Sequence, residues 1–347
     1  MDNPSLTNIS ELGEFGLIDR LTKDIKPVQP STVMGVGDDA AVLKTGGRNY
    51  TLVSNDLLLE GVHFDMTYTP LKHLGYKAAA VNLSDIAAMN GTPRQIVVGI
   101  GVSSKYTLEA LEELYRGIKK ACEVYHVDFV GGDTTSSLSG LFISVTVIGD
   151  ADKEKVTYRK GAKPGDLLCV SGDLGGAYMG LLTLEKEKRA FQANPSMQPE
   201  LQGKDYILQR QLKPEPRLDI VEALKKQKIL PTAMIDISDG LASEALHISK
   251  ESGVGVAIYE NKIPIDQETY RTAEEFQIIP SVAALNGGED YELLFTISQS
   301  DYEKILKIPQ VSVIGYITDI SEGNRLISND NTVIELSAQG WDAFRKH

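Results

Sequence analysis

Six short segments of the sequence place carboxylates beside glycine or other small polar residues. They are residues 35–39, 54–56, 82–85, 131–135, 236–240 and 287–290. One such segment is usually only a turn, because glycine accepts positive φ and aspartate caps its own backbone. Six in one chain indicate a shared chemistry. Glycines let backbone N–H groups approach a phosphate, and carboxylates hold the cations that neutralise it. Since Mg²⁺ prefers oxygen ligands and keeps some of its water, dispersed carboxylates suit it.

Familiar nucleotide and nucleophile motifs do not explain these segments. Residues 35–40 fit the letters of the dinucleotide-binding pattern, but Asp38 and Asp39 would face the pyrophosphate, and residues 41–43 are predicted to be extended. Residues 236–240 lack the first glycine of a nucleophile elbow. The sequence also has no phosphate loop with its lysine. A nucleoside phosphate would therefore be held by metal ions and backbone groups.

The segment at residues 236–240 is the most informative of the six. Met234 and Ile235 predict the end of a strand, and the amphipathic run from Leu241 predicts a helix. Ser238 or Asp239 is therefore expected at the helix start, where a side-chain oxygen accepts a free backbone N–H. A cap does not account for Asp236. All six segments are predicted to follow strands, at the sheet edge where α/β folds bind ligands.

The elements that must position these acids alternate between strands and helices. Strands are predicted at residues 50–54, 96–102, 128–131, 141–149, 167–171, 233–237, 254–259, 291–297 and 311–317. Helices are predicted at residues 75–90, 107–126 with Thr107 as N-cap, from about 176, 205–212, 217–228 and 240–252. A polar hinge at 150–166 divides the chain, and residues 187–204 are predicted to be a mobile surface insertion. The expected fold is mixed α/β, with an N-terminal domain at 1–150 and a C-terminal α/β domain at 151–347.

Composition excludes several classes of function. The chain has 347 residues and a net charge of −13, so its long-range field repels nucleic acid and anionic membranes. No apolar run approaches the length of a membrane span, and the first residues carry no secretion signal. The two cysteines, Cys122 and Cys169, lie in apolar surroundings and indicate a reducing compartment. We expect a cytoplasmic protein without nucleic-acid or membrane partners.

In their order along the chain, these segments resemble the thiamine-monophosphate kinase family, within the aminoimidazole ribonucleotide synthetase-like superfamily. The resemblance extends through residues 11–18, 60–64, 76–89, 159–166 and 340–341, which is nearly the whole chain. It implies transfer of a phosphoryl group from ATP to thiamine monophosphate, with several Mg²⁺ ions. The acceptor is a phosphate monoester that is largely deprotonated at neutral pH, so no catalytic base is expected. The resemblance also implies a homodimer in which the N-terminal domains pack together through their sheets.

Carried over by position, the resemblance assigns three groups of site residues. The implied metal ligands are Asp39, Ser54, Asn55, Asp56, Asp85, Asp133, Asp236 and Asp239. The implied ATP-binding residues are Gly132, Asp133, Arg159 and Ser238. The implied contacts to thiamine monophosphate are His63, Glu289 and Trp341. At Asn55 the family usually has threonine; a carboxamide oxygen still suits a hard cation.

Two other interpretations stay open on the sequence alone. Another enzyme of the superfamily is one; selenophosphate synthetase-like members use a reactive cysteine near the N-terminus, and this chain has no cysteine before Cys122. A non-enzymatic cation-binding protein is the other, although it leaves the glycines beside Asp133 without a purpose. Without the resemblance, His63 is a partly buried histidine, Glu289 a turn residue and Trp341 an anchor of the C-terminus.

Overall fold

The computed structural model describes residue 9 and residues 12–339 of the chain. Trp341 and Glu11 therefore lie outside the described residues. Two sheets, with helices against them, give a mixed α/β fold, which confirms the predicted fold class. None of the helices in the described part of the chain is long and apolar enough to cross a membrane. Cys122 and Cys169 are both buried and free.

The first sheet has six strands and is covered by helices on one face. Its strands are β1 Thr32–Met34, β2 Ala41–Leu43, β3 Asn49–Leu59, β4 Thr92–Val102, β5 Asp128–Ser136 and β6 Phe142–Asp152, in the spatial order β1-β2-β3-β6-β4-β5. Neighbouring strands are antiparallel except β4 and β5, which are parallel. The helices of this half are α1 Gly13–Thr22, α2 Leu71–Ala88 and α3 Leu108–Tyr125.

Burial alternates along the central strand β6 and identifies the two faces of this sheet. Ile143, Val145 and Val147 are fully buried in the core beneath α2 and α3, whereas Ser144 and Thr146 between them are only half-buried. The period of two puts these two sets on opposite faces. Strand β3 follows the same rule, with Leu52 and Leu58 in the core. The first sheet therefore has a core face and an open face.

Helices α2 and α3 pack at very close range because glycines lie at their contact. A Cβ atom at Gly75 of α2 would lie 1.9 Å from the carbonyl oxygen of Leu114 in α3. Thr107 caps α3 as predicted, since its side-chain oxygen accepts the N–H of Ala110 at 3.3 Å. Helix α2 also contributes Ala87 and Ala88 to a hydrophobic cluster of the second half, with Leu224 and Phe295.

The second half has a seven-stranded sheet and most of the helices. Its strands are β7 Leu167–Ser171, β8 Ala233–Asp236, β9 Gly255–Tyr259, β10 Leu293–Ile297, β11 Val311–Thr318, β12 Arg325–Ile327 and β13 Val333–Glu335, in the order β13-β12-β9-β11-β7-β10-β8. Its helices are α4 Gly176–Ala193, α5 Asp205–Leu212, α6 Leu218–Gln227, α7 Leu241–Ser252, α8 Gln267–Glu275, α9 Pro280–Asn286 and α10 Tyr302–Ile305. Residues 187–193 of the predicted insertion belong to α4. The domain division at residue 150 stays a prediction.

The prediction that all six acidic segments follow strands is wrong for four of them. Strand β3 continues to Leu59 and β5 to Ser136, so Asp56 and Asp133 lie inside strands. Asp85 lies inside α2, in agreement with the helix predicted at residues 75–90, and residues 287–290 follow helix α9. The predicted cap of α7 is also wrong: Gly240 is the N-cap residue, and it makes no side-chain cap bond.

Candidate functional site

Three carboxylates from distant parts of the sequence converge where the two halves meet. Asp39 lies two residues before β2, Asp85 lies near the end of α2, and Asp236 is the last residue of β8. Each offers a carboxylate oxygen, and the three oxygens lie within 4.8 Å of one another. Asp39 and Asp236 are buried, 7% and 4% exposed. We call these three residues the acidic cluster.

The charge of the acidic cluster is poorly compensated by the protein itself. Burial, and then the nearby charge of Asp39, raises the pKa of Asp236 to about 7. Burial and the charge of Asp56 raise the pKa of Asp85 well above its usual range. One carboxylate oxygen of Asp39, Oδ2, is buried without a hydrogen-bond partner. A group of oxygen ligands with an unused buried lone pair fits a hard divalent cation such as Mg²⁺.

Strand β3 contributes two more oxygen-bearing side chains on the core face. The hydroxyl of Ser54 donates a hydrogen bond to Oδ2 of Asp85. The backbone N–H of Asp56 donates to Oδ1 of Asn82 in α2, at 2.9 Å. Burial, and next the charge of Asp39, raises the pKa of Asp56 to about 6. The structure thus places Ser54 and Asp56 beside the acidic cluster, and their role as metal ligands stays a prediction.

Arg159 approaches the same cluster from the segment between the two sheets. Its guanidinium donates to Oδ1 of Asp39 from Nε at 3.0 Å and from Nη2 at 2.5 Å. Its backbone N–H donates to Oδ1 of Asp38 at 3.2 Å. Arg159 therefore places a positive charge beside the acids. A guanidinium in this position could also bind the oxygens of a polyphosphate.

The loop from Asp236 to Gly240 is held by a residue that the sequence analysis did not identify. Glu244 of α7 is 1% exposed, and its Oε1 accepts the backbone N–H of Asp239 at 3.0 Å. Burial and the charge of Asp239 raise the pKa of the Glu244 carboxyl well above its usual range. Ser238 is exposed at the tip of this loop. The position of Glu244 in the first turn of α7 could have indicated this role. A glutamate there can accept a backbone N–H that has no partner within the helix.

A second group of side chains lies across the same junction between the halves. Glu289 forms an ion pair with Lys77 of α2, with 2.9 Å between Oε1 and Nζ. Gln211 of α5 donates from Nε2 to Oε2 of Glu289 at 2.7 Å. His63 lies near both charges: partial burial lowers its pKa, while Glu289 opposes that effect. His63 and Glu289 were expected at the substrate site from the sequence, whereas Lys77 and Gln211 were not.

Asn55 and Asp133 lie on the other face of the first sheet. The carboxamide nitrogen of Asn55 donates to Ser144 Oγ and Thr146 Oγ1 on the open face, both at 3.0 Å. Asp133 pairs with Gly99, and three strand spacings of about 4.8 Å separate β5 from β3, about 14 Å in all. Asp133 and Ser144 line a groove of about 310 Å³ on this face. Within one chain, Asn55 and Asp133 are therefore not brought to the acidic cluster.

Gly132 lies next to Asp133 and has a clear packing requirement. A Cβ atom there would lie 1.9 Å from the carbonyl oxygen of Val98 in β4. Because only glycine permits this approach, the close pairing of β4 and β5 accounts for Gly132 without a ligand.

Comparison with known proteins agrees with this fold. Residues 37–151 match the family described as AIR synthase related protein, N-terminal domain, and residues 163–326 match its C-terminal domain. The chain is 34% identical to the thiamine-monophosphate kinase of Bacillus subtilis, over 96% of this chain and 100% of that protein. It is also 34% identical to the one from Aquifex aeolicus, over 97% and 99% of the two chains. Both domains of an AIR synthase-related protein are therefore present.

A solved structure described as AaThiL complexed with AMPPCP and TMP is similar over nearly the whole chain. Its TM-score is 0.81 at 32% identity, with 97% of this chain and 99% of that chain covered. The chain belongs to the thiamine-monophosphate kinase family. It is accordingly an enzyme of the phosphotransferase class.

Proposed function

We propose that this chain transfers the γ-phosphoryl group of ATP to thiamine monophosphate, giving thiamine diphosphate and ADP. Full-length similarity to a protein complexed with AMPPCP and TMP carries this proposal. The convergence of Asp39, Asp85 and Asp236 supports it, because two phosphorylated substrates need cations between them. At an effective dielectric of about 20, like unit charges 4 Å apart repel by about 4 kcal/mol.

We propose Mg²⁺ as the metal, in several ions. Asp39, Asp56, Asp85 and Asp236 would hold it, with Ser54 beside them and Asp239 on the adjoining loop. Bound Mg²⁺ would neutralise charge on the phosphate oxygens. In the protein alone, the raised pKa values of Asp56 and Asp236 reflect burial of carboxylates that lack such a partner.

Direct in-line transfer is the mechanism that suits these residues. A phosphate oxygen of the acceptor forms a bond to the γ-phosphorus, and the bond from that phosphorus to the β–γ bridging oxygen breaks, so that ADP leaves. The acceptor's second pKa is about 6, and its attacking oxygen carries no proton to be removed. The task of the protein is alignment and charge stabilisation. No dedicated catalytic base is therefore proposed.

The substrate-binding residues are proposed as two groups. Gly132, Asp133, Arg159 and Ser238 would hold ATP. His63, Glu289 and Trp341 would contact thiamine monophosphate. Arg159 lies beside Asp39, and Glu289 lies beside His63, which is consistent with neighbouring subsites for the two substrates.

We further propose a homodimer formed through the open face of the first sheet. Leu57 and Val130 of this half are 50% and 55% exposed, an unusual state for apolar residues inside strands. A second copy covering this face would also give Asn55 and Asp133 access to a shared site. In this arrangement, residues 1–150 form the dimerising domain and residues 151–347 complete the cleft. Cytoplasmic location stays a prediction.

One incubation tests the reaction. The chain is mixed with Mg-ATP and thiamine monophosphate, and thiamine diphosphate and ADP are followed by chromatography, with EDTA and free thiamine as controls. We expect the two products in equal amounts, and neither in EDTA. ATP binding without product would transfer the proposal to another acceptor. Metal binding without any ATP binding would favour the non-enzymatic interpretation.

A further inference from the structure

Lys77 is an unusual residue for its position in α2. It follows Tyr76 and precedes three alanines in the buried middle of the helix, and it is only 4% exposed. Its Nζ contacts Oε1 of Glu289 at 2.9 Å and donates to the carbonyl oxygen of Gln211 at 3.1 Å. A buried ammonium group loses its hydration, so a lysine here is costly unless its ion pair and hydrogen bonds compensate for that loss.

Both oxygens of the Glu289 carboxylate are held from outside their own loop. Lys77 contacts Oε1, and the side-chain nitrogen of Gln211 donates to Oε2 at 2.7 Å. A carboxylate has about four acceptor positions, so these two contacts fix its plane and leave others available. The side chain of Glu289 remains 29% exposed. Its free positions therefore face solvent rather than the core.

The backbone of Glu289 is equally constrained. It adopts φ +57°, a left-handed conformation that residues other than glycine rarely take. Its N–H donates to the carbonyl oxygen of Ser238 at 2.6 Å, which joins it to the loop beside the acidic cluster. Strain of this kind persists only where the surrounding structure imposes it. Contacts from both halves of the chain thus determine where the carboxylate lies.

We propose that Lys77 is a positioning residue of the acceptor site, fixing the Glu289 carboxylate so that it receives the cationic ring of the acceptor. The inference rests on the proposed function, which places thiamine monophosphate at Glu289. Lys77 itself does not touch the acceptor; it acts through Glu289, and Gln211 assists it from the other side. Because the Glu289 carboxylate is already oriented before the thiazolium ring binds, less side-chain entropy is lost on binding.

A double-mutant cycle tests this role. Lys77→Met, Glu289→Gln and the double variant are compared by the KM values for thiamine monophosphate and for ATP. Lys77→Met is expected to raise the first KM about tenfold and to leave the second within about twofold. The double variant should be no worse than Glu289→Gln alone, because Lys77 has no effect without its partner. Lys72→Met, on the exposed side of the same helix, is the matched control and should change neither constant.

Several outcomes would overturn the inference. An unchanged KM for the acceptor, equal rises in both constants, or losses that add in the double variant would each reduce Lys77 to a structural tether. If Lys77→Met does not fold, Gln211→Met removes the other contact to Glu289 and keeps the lysine. It should raise the same KM by a smaller factor, and an unchanged KM in that variant would equally reject the inference.

A binding measurement separates this inference from the proposed function. The Kd for thiamine monophosphate is measured by calorimetry without ATP, for the natural chain and for the folded variant. Binding that weakens in the variant, in a chain that makes no thiamine diphosphate, would keep the role of Lys77 and reject the reaction. Product formation with the same Kd in the natural chain and the variant would keep the reaction and reject the role of Lys77. No binding to the natural chain would reject both.

Discussion

The two faces of the first sheet differ although they are built from alternating residues of the same strands. On the core face, Ser54 and Asp56 meet Asp85 of α2 among buried carboxylates with raised pKa values. On the open face, Asn55 hydrogen-bonds to Ser144 and Thr146, and Asp133 lines a shallow groove. One face concentrates negative charge that Arg159 neutralises only in part, and the other presents ordinary polar contacts.

This difference shows that adjacency in sequence does not mean membership of one site. Side chains of a strand alternate between faces, so residues 54–56 cannot all point to one metal from a flat strand. The core face is complete within one chain, because Asp236 of the second half joins it. The open face can contribute to the same chemistry only through a second copy. The following predictions test that distinction.

The largest effect is expected from Asp85→Asn on the core face. Turnover should fall on the order of 10³-fold, because one of the three carboxylates of the acidic cluster is lost. Without Mg²⁺ the same variant should melt at a higher temperature than the natural chain, since one of several repelling buried charges is gone. Steady-state kinetics and thermal melts measure both. Asp128→Asn, an exposed acid at the start of β5, is the control, and a similar loss there would contradict the assignment.

The second largest effect is expected from Asp236 on the pH dependence of the free energy of unfolding. Burial holds the pKa of Asp236 at about 7, against 3.8 for the free side chain, so between these values the folded protein binds more protons than the unfolded chain. In EDTA, the free energy of unfolding should therefore fall as pH rises from about 4 to 7. At pH 8, Mg²⁺ at 100 times its Kd should restore about 2.7 kcal/mol.

Denaturant unfolding across this pH range provides the check. The Asp236→Asn variant should show a shallower slope than the natural chain. A free energy of unfolding that stays constant or rises with pH in EDTA would mean that the negative charge of the acidic cluster is neutralised in solution.

A smaller loss is expected from Asp133→Asn on the open face. Turnover should fall about 10- to 100-fold, because the residue would serve a site shared between two copies. Mixing this variant with Asp85→Asn sharpens the test. If dimers reassort and each site takes its core face from one copy and its open face from the other, the mixture should regain about a quarter of full activity. Activity that does not rise on mixing would exclude the shared site.

The smallest effect is expected from Asn55→Thr. Threonine cannot donate from a carboxamide, so bonds to Ser144, Val145 and Thr146 are lost. Because Asn55 is exposed, the free energy of unfolding should fall by only about 1 kcal/mol, and kcat/KM should stay within about threefold. A loss as large as that of Asp85→Asn would place Asn55 in the metal site of its own chain.

Local pattern was sufficient for most elements but not for the strands that carry the site. The helix capped by Thr107 and the strand at residues 167–171 follow from periodicity and caps, and both are confirmed. Strand β3 was predicted to stop before Asp56, but it continues because all eleven of its residues pair with β6. Gly131 and Gly132 indicated a turn, yet they lie inside β5, where Gly132 permits close contact with β4.

Contacts between distant segments account for what the sequence could not predict at the site. The acidic segments were recognisable individually, but nothing local places Asp236 beside Asp39 and Asp85. Lys77 in an alanine-rich run has no local signal, because α5, more than a hundred residues later, supplies its partner. Glu244 had a weak signal from its distance to the helix start. Pairing and burial across the halves, rather than propensity, decided these positions.

The shared helix α2 has a consequence for how the chain unfolds. Its middle packs in the core of the first half, and Ala87 and Ala88 at its end belong to a core cluster of the second. Melting either half would expose apolar surface that the other half needs for its own cohesion. The halves should therefore lose structure together, in one cooperative transition whose calorimetric and van't Hoff enthalpies agree.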